Sequence, residues 1–205
     1  QDKSGTGILD HIGQLRRRIA MKDGVLLPQV RIKDNVRLEP NAYRILLGGQ
    51  EIARGTVEPN HVMALDGGLA TGKLKGKETV DPTFGLPAWW IHESMQDEAE
   101  MNGFTVIDPT SVLVTHFSEI IQASLGELVT RDDVMDLVEN LKRSSPAIVE
   151  ELLPTRMTFG ELHQVLRNLL REAVPIRNMA VILESLSDNV ARSRDPEILS
   201  ELVRQ

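Results

Sequence analysis

The chain has 205 residues, 41% hydrophobic, 26% charged and only 3% aromatic, which is enough apolar material for one large or two to three small soluble domains. A net charge of −7 and a pI near 5.3 exclude a general nucleic-acid binder, because affinity for phosphate backbones comes mainly from clustered Lys and Arg. The absence of cysteine excludes disulfides, thiol catalysis and thiolate metal sites, and no apolar run reaches the ~18 residues of a membrane span.

Residues 8 to 20 place Ile8, Ile12, Leu15 and Ile19 at intervals of three and four. That spacing predicts an amphipathic helix, ended by Asp23-Gly24, with Arg16, Arg17 and Arg18 on its solvated face. Val25 to Ile32 and Tyr43 to Ile52 are rich in branched residues and read as strands, the second folded into a hairpin at Gly48-Gly49. Val62 to Leu65 is a further short strand, and residues 66 to 78, with their glycines and lysines, form an exposed excursion. Gly67 to Lys73 has the spacing of a phosphate-binding loop. Leu74 replaces the hydroxyl that would hold magnesium, and Lys75-Gly76 does not open a helix. The stretch is expected to be a connection, with a nucleotide hydrolase kept as the alternative reading.

Thr79 to Ile91 gathers both tryptophans and one of the four phenylalanines. Two prolines and a glycine within six residues deny it helix or an interior ladder position. A shaped loop running into a short strand is expected, anchored by one tryptophan, with Asp81 and Phe84 presented outward as an acidic and apolar pair. Each ring taken alone also fits a core plug, but loops on a rigid scaffold are where binding residues concentrate.

Further on, His92 to Gly103 reads as a short acidic helix and Phe104 to Ile107 as a strand. Asp108-Pro109 opens a helix with a stripe of Val112, Leu113, Phe117, Ile120, Ile121 and Leu125. The remainder is helical. Thr130 or Asp132 caps one helix, Pro146 to Leu153 forms another, Thr158 to Glu161 is a capping box, Pro175 starts the next, and Asp195-Pro196 starts the last. The pattern predicts an α+β protein, mixed in front and all-α behind, with a boundary near residue 129. The chain opens at Gln1 and stops inside a helical pattern at Gln205, as expected of a piece of a longer protein.

No catalytic constellation is found. The five histidines share no ligand spacing, so no metal and no cofactor are expected. His116 and Glu119 lie one helical turn apart and read as a surface pair. No Gly-x-Ser-x-Gly elbow is present, and the expectation is a protein that is not an enzyme.

Seven short motifs in one order carry a resemblance: Arg31 to Asn35, Tyr43-Arg44-Ile45, Ala53-Arg54-Gly55, Val80 to Leu86, Trp90-Ile91, Thr115-His116, and Val174 to Arg177. Over nearly the whole chain the sequence resembles the cytoplasmic part of the FlhA family, the export-gate proteins of flagellar type III secretion, with relatives in virulence injectisomes. The resemblance implies residues 1 to 59 and 109 to 128 as one discontinuous α/β subdomain, 60 to 108 as an inserted one, and 129 to 205 as a helical third. It implies a docking platform for export chaperones with their substrates, through a dimple at Asp81, Phe84 and Thr115. Contacts to other export-apparatus proteins are implied as well. So are a nine-membered ring in the full-length protein and a place on the cytoplasmic side of the bacterial inner membrane, tethered through a missing N-terminal half. An injectisome homologue is the alternative within the family.

Overall fold

A computed structural model describes residues 3–205, and among these residues nine α-helices and six strands in two antiparallel sheets make a mixed α+β chain. Two compact units form, one from the chain up to Ile12 with Arg31–Ile120, the other from Gly13–Val30 with Ile121–Gln205. Helix α1 (Lys3–Asp23) and helix α3 (Pro109–Ala123) contribute to both.

In the mixed unit, strands β1 (Ala42–Leu47) and β2 (Gln50–Thr56) form the expected hairpin. Its two-residue turn puts Gly48 at φ 57° and Gly49 at φ 84°, a pair of positive angles that glycine adopts without steric cost. The second sheet orders its strands β4 (Lys77–Val80), β5 (Pro87–His92), β3 (His61–Leu65), β6 (Thr105–Ile107). Successive side chains in a strand face opposite ways, so the adjacent tryptophans separate. Ile91 and Trp89 join Val62, Ala64 and Phe104 on the face that also packs Ala99 of helix α2 (Gln96–Met101). Ala88 and Trp90 join Met63, Leu65 and Val112 of α3 on the other. Covered on both faces, β3 reads as an unbroken apolar run rather than an alternating one.

Helix α3 begins where Asp108 accepts hydrogen bonds from Ser111 N (2.9 Å) and Ser111 Oγ (2.5 Å). The first of these bonds satisfies an amide that a helix start leaves orphaned. Burial tends to raise the Asp108 pKa, but the hydrogen bonds win and hold the carboxyl below its ordinary value.

The helical unit contains α4 (Leu125–Leu128), α5 (Arg131–Ser144), α6 (Pro146–Leu152), α7 (Phe159–Arg171), α8 (Met179–Asn189) and α9 (Pro196–Arg204). Thr130 with Asp133 and Thr158 with Glu161 form capping boxes at α5 and α7. Buried Leu162, Val165, Leu166, Leu169 and Leu170 give α7 a broad apolar stripe, which packs against α4, α5 and α9.

Four expectations are corrected. Val25 to Ile32 forms no strand. Val25 and Leu27 are buried, but Pro28 lacks an amide, and the Leu27 carbonyl is taken by the Arg16 guanidinium at 2.9 Å. Arg16 is therefore engaged, while Arg17 and Arg18 are exposed. Pro175 does not start a helix, because the fully buried Ile176 donates its amide to the Asp23 carbonyl at 2.9 Å, and α8 begins only at Met179. Leu125 lies in α4 rather than continuing the stripe of α3. No helix among the described residues is long and apolar enough to cross a membrane.

Candidate functional site

The loop between β4 and β5 is tied to itself by one residue. Asp81 N donates to the Leu86 carbonyl at 2.9 Å, and Gly85 N donates to the Asp81 carbonyl at 3.0 Å. The Asp81 carboxylate accepts the amides of Thr83 (3.1 Å) and Phe84 (2.5 Å) on the same oxygen, Oδ2. Pro82 fixes the backbone between donor and acceptor. Leu86 closes the loop into the core face shared by Trp90 and Val112.

Phe84 sits on this tied loop with 60% of its surface exposed. Asp81 does not accompany it outward, contrary to the expected pair: it is only 4% exposed, and its charge is spent on loop amides. A short carboxylate that organises a turn through its own downstream amides is a recurrent local motif, and it competes with presentation to solvent. Thr115 is exposed on α3, one turn beyond Val112, which shares a core cluster with Leu86. The structure joins Asp81 and Phe84 through a direct bond, while Thr115 stands on a separate element, α3.

Beside the loop lies a pair that the sequence reading did not find. Tyr43 Oη and His116 Nδ1 are 2.6 Å apart, with their rings edge to face at 5.8 Å between centroids. His116 is 5% exposed, so the expected surface pair with Glu119 is corrected to a buried contact with β1. Burial, followed by the negative charge of Asp81, pushes the Tyr43 pKa up to about 12. Burial lowers the pKa of His116, and the Asp81 charge pulls it the other way. At neutral pH the phenol keeps its proton and the imidazole is uncharged, and one hydrogen bond joins them. Gly55, opposite Tyr43 in the hairpin, makes room for this: a Cβ there would stand 2.4 Å from the phenol oxygen.

Elsewhere, the stretch Gly67 to Lys73 runs through bends into strand β4 rather than into a helix, so it offers no row of helix N-terminal amides to a phosphate. Among the described residues no group of three or more His, Asp or Glu is arranged to hold a metal.

A family model described as the FHIPEP family matches residues 1–205. The flagellar biosynthesis protein FlhA of Bacillus subtilis is 42% identical over 201 residues, covering 98% of this chain and 30% of that protein. FlhA of Salmonella typhimurium is 40% identical over 197 residues, covering 96% of the chain and 28% of that protein. The chain thus spans less than a third of the length of these curated relatives. Among solved structures, Chlamydia pneumoniae CdsV in its complex with CdsO superposes with a TM-score of 0.80 at 26% identity, covering 95% of this chain and 56% of that one.

Proposed function

The chain belongs to the FHIPEP family of type III export-gate proteins, and from that premise we propose that it is a docking segment of a flagellar export gate, which receives export chaperones carrying their substrates. In this reading Phe84 is the apolar anchor that enters the partner, Thr115 supplies a polar contact near it, and Asp81 holds the anchor in place from below. One observation carries the reading: an aromatic ring is left 60% exposed on a loop that spends a buried carboxylate to fix its shape. Most of the named rings in this aromatic-poor chain are used otherwise, with Trp90, Phe104 and Phe117 all buried. A rigid apolar centre with polar neighbours is the anatomy of a protein-binding hot spot.

The flagellar branch is favoured over the injectisome branch by the identities of 42% against 26%. The finer architecture of this reading keeps residues 60–108 as an insertion between 1–59 and 109–128, ahead of a helical part from 129 to 205. The separation of the β1–β2 hairpin from a second sheet made wholly of β3 to β6 supports that division. The full-length protein would place this segment on the cytoplasmic side of the inner membrane, in a ring of nine, in contact with other export-apparatus proteins. The CdsV complex with CdsO, a relative bound to another protein, supports the last of these.

A photo-crosslinking phenylalanine analogue placed at position 84 of the full-length protein in flagellated cells tests the reading. Adducts containing an export chaperone are expected. Adducts equally abundant from the exposed Leu69 and Met135 positions would contradict a docking role for the loop.

A further inference from the structure

Three elements of the mixed unit meet at one pair: β1 supplies Tyr43, β2 supplies the bare backbone of Gly55 against it, and α3 supplies His116. The Tyr43 hydroxyl reaches His116 at 2.6 Å, and the ring contact between them is edge to face. His116 follows the buried Val112 by four on α3, and Val112 shares a core cluster with Leu86 at the end of the loop. The Leu86 carbonyl accepts the Asp81 amide at 2.9 Å, and Asp81 Oδ2 holds the Phe84 amide at 2.5 Å. The charge of Asp81 also acts on Tyr43 and His116. A loop base keeps one position only when the helix it packs on is itself held, and a hydrogen bond out of water holds that helix because breaking it leaves polar groups unpaired.

We propose that Tyr43 and His116 are positioning residues of the docking loop: their half-buried hydrogen bond forms a polar strut between β1 and α3, and through the packing of Val112 with Leu86 it sets where Asp81 and Phe84 stand. This rests on the reading of the loop as a docking site, but its mechanical part concerns the loop alone. The strut needs an acceptor at the Nδ1 position of residue 116 and a hydroxyl on residue 43. Bulk is not enough. Tyr43→Phe keeps the ring and removes the donor. His116→Leu keeps apolar volume and removes the acceptor. His116→Asn is smaller and more polar, but carries a carbonyl oxygen close to where Nδ1 lies.

The experiment measures hydrogen exchange of the Thr83 and Phe84 amides by NMR at pH 7 in the 205-residue chain, with amides of β3, which lies in the same unit, as an internal reference. Tyr43→Phe and His116→Leu are expected to speed exchange at Thr83 and Phe84 by about tenfold, leaving β3 unchanged, while His116→Asn stays within about threefold of the parent. That order, asparagine better than leucine, is the reverse of what simple packing would give. Unchanged Phe84 exchange in Tyr43→Phe, or leucine protecting better than asparagine, overturns the proposal. A variant that fails to fold shows itself in the β3 amides, and Tyr43→Phe, the least disruptive of the three, then decides alone. Affinity of the same variants for a purified flagellar chaperone–substrate complex separates the two readings. Faster loop exchange with unaltered affinity upholds the strut and removes the docking role.

Discussion

Phe84 keeps 60% of its surface exposed and Trp90 keeps 2%, so the loss of each ring reports a different thing. Trp90→Ala is expected to cost about 3–5 kcal/mol of folding stability, through lost burial and a cavity between β5 and α3. Phe84→Ala has no such cavity to leave, and its melting temperature is expected to stay close to the parent's. Asp81→Ala strands two loop amides and is expected to destabilise by about 1–3 kcal/mol in chemical denaturation. Because the carboxylate is buried, its effect on partner binding is expected to depend little on salt, unlike that of an exposed charge. His116 adds a pH signature. Its pKa in the folded chain lies below the ordinary 6.5, so the unfolded chain takes up the proton first. The stability tied to the uncharged imidazole is complete above pH 6.5 and declines as the pH falls from there toward the lowered folded value. Comparing denaturation midpoints at pH 7.5 and pH 5.5 in the parent and in His116→Asn isolates this component, which is expected to be missing from the variant.

At the level of elements, the legible parts are those decided within a few residues. The capping box at Thr158 is written in four consecutive positions and forms as read, and of the two caps expected for α5, Thr130 or Asp132, Thr130 takes the place in a box with Asp133. Thr158→Ala is expected to cost about 1 kcal/mol in thermal melting, and a change within experimental error would mean that α7 is held by packing alone. Gly48-Gly49 likewise states its own turn. What the sequence left illegible is decided by distant partners. Val25 to Ile32 has strand-like composition, yet Arg16 takes its carbonyl and Ile176 bonds to Asp23 just ahead of it. Pro175 looks like a helix start until that same buried Ile176 pins it extended. The site divides along the same line. Prolines mark the Phe84 loop as shaped, and its exposed ring was readable from composition and position. The inward turn of Asp81 was not, because nothing local says whether a carboxylate binds its own loop or a partner. The strut joins residues 73 apart, and its one local hint is that His116 follows Val112 by four on the buried side of α3.

In the proposed reading the whole molecule acts through assembly and docking, and the two can be measured separately. Tethering in a membrane raises local concentration without adding contacts, so the untethered 205-residue chain is expected to be mostly monomeric by light scattering at micromolar concentration. A stable nine-subunit particle under those conditions would place the assembly energy within this segment. The most direct measurement of the central claim is a calorimetric titration of a purified flagellar chaperone–substrate complex into the parent chain and into Phe84→Ala, with melting curves recorded on the same samples. The docking account predicts a loss of about 2–4 kcal/mol of binding, roughly 30-fold or more in affinity, with an unchanged melting temperature. Equal affinities for the two chains, or a lost affinity that comes with a collapsed melting temperature, would contradict it.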